Sequence, residues 1–101
     1  MLTLEKFEEA YNTVQKVVKP TPLIYSDYFS EVSGNKVYFK PENLQVTGAY
    51  KIRGAYYKIS QLTDEEKAKG VIACSAGNHA QGVALGATAM GVKSLICLPE
   101  G

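Results

Sequence analysis

The chain has 101 residues, 46% of them hydrophobic, and eleven basic against ten acidic side chains give a net charge of +1. That length sets a ceiling of one domain and leaves enough apolar material for a core. Neither sign of charge gathers into a patch, so the footprint of a nucleic-acid binder is missing, and no apolar run reaches the length of a membrane span.

The opening Met1-Leu2-Thr3-Leu4-Glu5-Lys6 lacks the basic-then-apolar order of a secretory signal, which leads us to expect a soluble, cytoplasmic protein. Leu4, Phe7, Ala10, Tyr11, Val14, Val17 and Val18 recur at helical spacing between Thr3, a candidate N-cap, and Pro20. Thr21-Pro22-Leu23 is expected to be extended, because proline restricts the residue before it. Ser26 to Ser33 reads as a short helix closed by a left-handed Gly34. Lys36-Val37-Tyr38-Phe39-Lys40 then reads as a strand ended by Pro41.

The second half alternates. Tyr50 to Gln61 places Ile52, Ala55, Tyr56 and Ile59 on one helical face, and Thr63-Asp64-Glu65-Glu66 is a capping box for a short helix ending at Gly70. Val71 to Cys74 reads as a buried strand, Asn78 to Met90 as a helix closed by Gly91, and Val92 to Leu98 as another strand. Strand, helix, strand, helix, strand predicts an α/β fold with a parallel sheet, flanking helices and right-handed crossovers. Cys74 and Cys97 fall in strand-like apolar runs and are expected to be buried core thiols. His79 is the only histidine and neither cysteine has a CxxC partner, so no metal site is expected.

Two segments carry chemistry. Gly48-Ala49-Tyr50-Lys51-Ile52-Arg53-Gly54 places a lysine at a helix's opening turn, and Ser75-Ala76-Gly77-Asn78-His79-Ala80-Gln81-Gly82 places small and polar residues on a strand-to-helix turn. At such a turn backbone N–H groups stand free to hold an anion such as a carboxylate. In a parallel sheet both segments would follow carboxyl ends of strands, where ligands collect. Tyr50 offers a flat face to a conjugated ring, and Asn78 is a candidate helix cap. An amine beside an anion cradle suggests an aldehyde cofactor with an amino-acid substrate. Taken singly, Lys51 reads more readily as a solvated helix lysine, and the Ser75–Gly82 turn reads equally well as a loop satisfying its own helix. The Gly- and Ala-rich helix behind the turn is expected to lie close to the sheet.

With Thr21-Pro22-Leu23, Lys40-Pro41-Glu42-Asn43-Leu44-Gln45, Tyr50 to Ala55 and Cys74 to Val83 in this order, the chain resembles the N-terminal part of the threonine dehydratases (threonine ammonia-lyases). These are pyridoxal-phosphate enzymes of fold type II. The resemblance implies part of the small domain of a tryptophan synthase β-like fold, with residues 1–35 a helical segment against a large domain and 36–101 the first part of the small domain. It implies pyridoxal 5′-phosphate as cofactor and Lys51 as the catalytic, Schiff-base lysine. Tyr50 takes the place of the aromatic residue on the cofactor ring, and Asn78 that of the partner of its phenolic oxygen. Ser75, Gly77, Asn78 and His79 are implied as holders of the substrate carboxylate. A glycine-rich phosphate loop and the partner of the pyridine nitrogen lie downstream in the family, so the chain reads as an incomplete fragment, inactive alone.

Departures from the family pattern are informative. Ala49 and Tyr50 stand where the family most often has Ser and Phe, which removes a hydroxyl from the helix start and brings a phenol to the ring. Relatives resembling serine racemase have a hydroxyl at the position of Ala76, acting as a second acid/base. Alanine moves no proton, which favours elimination over racemisation. The implied activity of the complete protein is dehydration and deamination of L-threonine, and of L-serine, to 2-oxobutanoate, or pyruvate, and ammonia, by a homo-oligomer. A serine racemase or β-replacement enzyme of the same family is the alternative, and a non-catalytic anion-binding or association fragment is a third reading.

Overall fold

The computed structural model describes residues 1–100; Gly101, the last residue of the second expected segment, lies outside them. Helix α1 (Leu4–Val14) begins where Thr3 caps it, the Lys6 N–H donating to Thr3 Oγ1 at 3.4 Å. It ends earlier than the periodicity predicts. Val17 and Val18 lie in a turn, both N–H groups donating to the Val14 carbonyl, yet they still border the core beside Val14. Leu4, Phe7 and Tyr11 on the same helix are exposed.

Strand β1 (Ile24–Tyr25) pairs antiparallel with β2 (Tyr38–Phe39), Ile24 opposite Phe39 and Tyr25 opposite Tyr38. Between them α2 (Asp27–Ser33) is capped by Ser26, whose Oγ accepts from the Phe29 N–H at 3.3 Å, and closed by Gly34 at φ 68°. This corrects the expected sheet: the strand within residues 36–40 joins a local ribbon and not the parallel sheet. Edge-to-face rings hold the ribbon, with Tyr25–Tyr38 centroids 5.2 Å apart and Phe29–Phe39 centroids 5.4 Å apart.

Helix α3 (Lys51–Ser60) follows a short 3-10 turn at Glu42–Leu44, and α4 (Asp64–Lys69) opens on the expected capping box. There Thr63 N–H donates to Glu66 Oε2 at 2.8 Å, and Glu66 N–H to Thr63 Oγ1 at 3.2 Å. Strands β3 (Val71–Cys74) and β4 (Ser94–Cys97) pair in parallel, joined by α5 (Asn78–Ala89). One face of this parallel β3–β4 sheet presents Ile72 beside Leu95 and Cys74 beside Cys97, all exposed. The two cysteines are therefore free surface thiols here and not core residues, and the adjacent Cys74 pushes the Cys97 thiol pKa up.

The core lies chiefly between α3 and α5. Ile52 is fully buried, with Val14 and Tyr56 beside it, and Ile59, Ala87 and Val92 form a second cluster nearer the sheet. Gly82 and Gly86, expected to face the sheet, instead face α3. A Cβ at Gly82 would lie 3.0 Å from the Lys51 carbonyl carbon and 3.1 Å from the Ile52 nitrogen; one at Gly86 would lie 3.3 Å from Tyr56 Cα. These are backbone atoms, so the neighbour cannot swing aside.

A polar latch ties the start of α3 to the N-terminal segment. Arg53 donates through Nε to Glu42 Oε2 at 2.7 Å and through Nη2 to Glu42 Oε1 at 2.9 Å, and Thr21 Oγ1 donates to the same Oε1 at 2.6 Å. Gln45, buried, accepts from the Lys19 N–H at 2.8 Å and donates to the Lys19 carbonyl at 3.0 Å. The Arg53 hydrogen bonds, the largest influence, hold the Glu42 carboxyl at about 2, far below the ordinary 4.5; burial opposes them, and the Thr21 bond adds to them.

Two outcomes follow in unfolding measurements. Gly82→Ala should destabilise by about 1–3 kcal/mol through overpacking, whereas Gly54→Ala, in the interior of α3 with open space around its would-be Cβ, should stabilise by about 0.5–1 kcal/mol. Because the folded Glu42 value lies below 4.5, the latch's contribution is complete above that pH and is lost as the pH falls toward 2. Glu42→Gln should therefore destabilise the fold at neutral pH by on the order of 1–2 kcal/mol after screening at the partly exposed arginine, lowering the melting temperature, and the gap from the parent should close in acid.

Candidate active site

The path to Lys51 starts with a tight turn. Gly48 adopts φ 68°, and its N–H donates to the Gln45 carbonyl at 2.8 Å, a left-handed conformation in which a side chain would be strained. Ala49 is then buried and Tyr50 exposed, and α3 begins at Lys51 with no side-chain cap at Tyr50. Lys51 is half-buried, and its Nζ sits 5.1 Å from the centroid of the Tyr50 ring, within reach of a cation–π attraction.

The second segment continues β3. Ser75 N–H donates to the Cys97 carbonyl at 3.1 Å, extending the parallel ladder by one bond, and Gly77 N–H donates to Ser75 Oγ at 3.3 Å. Helix α5 starts at Asn78 with Gly77 in the cap position and no side-chain cap bond, which corrects the expectation that Asn78 caps it. Asn78, one residue inside the helix, is exposed, and a Cβ at Gly77 would meet nothing within 4 Å. His79 borders a cavity of about 270 Å³ between α3, β3 and α5, with Gly54, Ile59 and Val83. Lys51, Tyr50, Ser75, Gly77 and Asn78 do not line it; this at least partly exposed set at the starts of α3 and α5 is termed the ledge.

Three helices outside this ledge, α1, α2 and α4, have side-chain caps from Thr3, Ser26 and Thr63; the two that open onto it, α3 and α5, have none. Helix starts without side-chain caps leave N–H groups for a ligand. What joins the two segments is the contact of Gly82, one turn inside α5, with the backbone of Lys51 and Ile52. The shared edge of one parallel sheet, by which they were expected to meet, plays no part, since β2 belongs to the other ribbon.

Sequence reasoning assigned no role to Thr21, Glu42, Gln45 or Arg53. Their partners lie 11 to 26 residues away, and no local pattern announces such pairs. Among the described residues no helix is long and apolar enough to cross a membrane, and no cluster of three or more potential metal ligands occurs.

Known proteins sharpen this geometry. The chain is 54% identical over 100 residues to an L-threonine ammonia-lyase of Thermotoga maritima, covering 99% of this chain and 25% of that protein. It is 48% identical over 101 residues to a catabolic L-threonine dehydratase of Staphylococcus aureus, covering 99% of this chain and 29% of that one. The crystal structure of serine racemase from Dictyostelium discoideum superposes with a TM-score of 0.89 at 38% identity, over 98% of this chain and 33% of that one. The chain thus spans about a quarter to a third of the length of these relatives. A family profile described as pyridoxal-phosphate dependent enzyme matches residues 14–101, a stretch containing both segments of the ledge and the latch that anchors it, and to that family the chain belongs.

Proposed function

We propose that the complete protein is a pyridoxal-phosphate-dependent ammonia-lyase that converts L-threonine to 2-oxobutanoate and L-serine to pyruvate, releasing ammonia. The observation that carries this reading is the seating of Lys51 against Gly82, which puts the only lysine of an uncapped helix start beside a second uncapped start. The residues are compatible with the cofactor: Gly77 has open space around it, and Tyr50 and Asn78 are exposed. Bound pyridoxal 5′-phosphate would supply an aldehyde for covalent attachment and a conjugated ring that accepts an electron pair from the substrate's Cα.

The chain's own residues supply attachment, orientation and proton transfer. Lys51 Nζ would be the attachment point and, once the substrate's amino group has displaced it, the free amine that takes the α-proton. Tyr50 and Asn78 would hold the cofactor ring, Tyr50 through its aromatic face and Asn78 through its side-chain amide. Ser75 Oγ, the Gly77 turn, Asn78 and His79 grip the substrate carboxylate. That grip turns the Cα–H bond toward Lys51, a contribution of position rather than charge.

Ala76 argues for elimination over racemisation, since racemisation needs a second proton carrier on the opposite face and a methyl group is none. The likeness to a serine racemase keeps that activity as the second reading. Residues 1–35 are proposed to lie against a large domain, which would cover the exposed Leu4, Phe7 and Tyr11, with 36–101 opening the small domain. The complete protein is taken to be a cytoplasmic homo-oligomer, and the 101 residues alone to be inactive.

In the full-length protein Lys51→Ala should abolish the yellow covalent cofactor absorbance and lower turnover by at least about a thousandfold; a variant that keeps the absorbance refutes the assignment. Incubation with L-serine should yield pyruvate as the dominant product. D-serine in excess of pyruvate, or a substituted amino acid formed from an added thiol, would move the protein to the racemase or β-replacement class.

A further inference from the structure

We propose that Thr21, Glu42 and Arg53 are positioning residues that set the rotation of α3 and thereby aim the Lys51 amine at the ledge. This inference rests on the reading of Lys51 as the attachment lysine. It begins from a missing local restraint: α3 has no side-chain cap bond and no acidic residue in its first turn, so its rotation is left to tertiary contacts, of which the buried Ile52, Ala55, Tyr56 and Ile59 supply one direction. The Gly82 contact limits how far α3 stands from α5, and together with that buried face it restrains the helix from one side, which leaves the opening turn in need of a second direction of restraint.

The Arg53 fork supplies that constraint. A planar guanidinium bound through two nitrogens to two oxygens defines a direction as well as a distance, and the two bonds measure 2.7 and 2.9 Å. Arg53 follows Lys51 by two positions, about 200° around the helix, so the fork pulls on the side away from the amine. The anchor itself is held from several sides. Glu42 also accepts from Thr21, Lys40 Nζ donates to the Thr21 carbonyl at 2.5 Å, and Gln45 bridges to Lys19 from the same 3-10 turn. Thr21 and Gln45 are buried, so water does not compete freely for these bonds. Any slack in the latch becomes a rotation of α3 that swings Lys51 along the ledge.

The test uses the full-length protein stripped of cofactor, with the rate of yellow absorbance after adding pyridoxal 5′-phosphate as the readout, and reduction followed by mass spectrometry to confirm attachment at Lys51. Arg53→Lys retains the charge and loses the fork; Glu42→Gln retains the shape and loses the charge. Both should slow capture about tenfold or more, and in turnover kcat should fall more than KM rises. Val92→Ala, in the cluster near the sheet, serves as a control for generic loss of stability and should capture at the parental rate. If Glu42→Gln or Arg53→Lys fails to fold, Thr21→Val, which removes only the bond to Oε1, should still slow capture about threefold and Thr21→Ser should restore it. Parental capture rates in the latch variants, or equal slowing in Val92→Ala, overturn the proposal. Capture that persists in Lys51→Ala overturns the attachment reading instead, so the two failures are distinguishable.

Discussion

Two helices that come to close backbone approach at two glycines organise this chain. At Gly82 and Gly86 the surface of α5 is bare, and the backbone of α3 at Lys51, Ile52 and Tyr56 comes into that space. The approach seals Ile52 completely and brings Val14 and Tyr56 around it. A parallel sheet of two four-residue strands offers little surface on which to fix a site. The helix pair does that work, and everything on the ledge inherits its spacing.

Around that contact the structure treats its helix starts in two ways. At α1, α2 and α4, hydroxyl side chains close the first turn, as Thr3, Ser26 and Thr63 do. Where α3 and α5 open together, Tyr50 and Gly77 occupy the cap positions and contribute no such bond. Uncapped starts cost stability, about 1 kcal/mol each by comparison with capped ones. The glycine contact and the Glu42–Arg53 latch offset that cost by tertiary means. Local stability has been given up at the place where a ligand's charge can replace it.

Helices were legible in the sequence because their signals are local. The capping box at Thr63, the left-handed Gly34 and the apolar stripe of α3 each occupy one short window, and all appear as read. The β1–β2 ribbon was not legible, since two residues per strand give no alternation and the partners are separated by α2. Cys74 and Cys97 looked like core residues because each is flanked by apolar neighbours, but burial depends on what covers the second sheet face. The two segments of the candidate site stood out by composition, and they do lie against one another. How they meet was hidden: the small residues of α5 suggested closeness without saying to what, and only coordinates give the answer at Lys51.

Met90 belongs to both core clusters, touching the group around Ile52 and the group around Ala87. An unbranched thioether adapts its three torsions to whatever gap lies between stiffer neighbours. It therefore acts as a compliant joint: small shifts of α1 and α3 on one side need not be transmitted rigidly to the strands on the other. The same position is a weak point toward oxidants, because a sulfoxide there would place a polar oxygen at the seam shared by both halves of the interior.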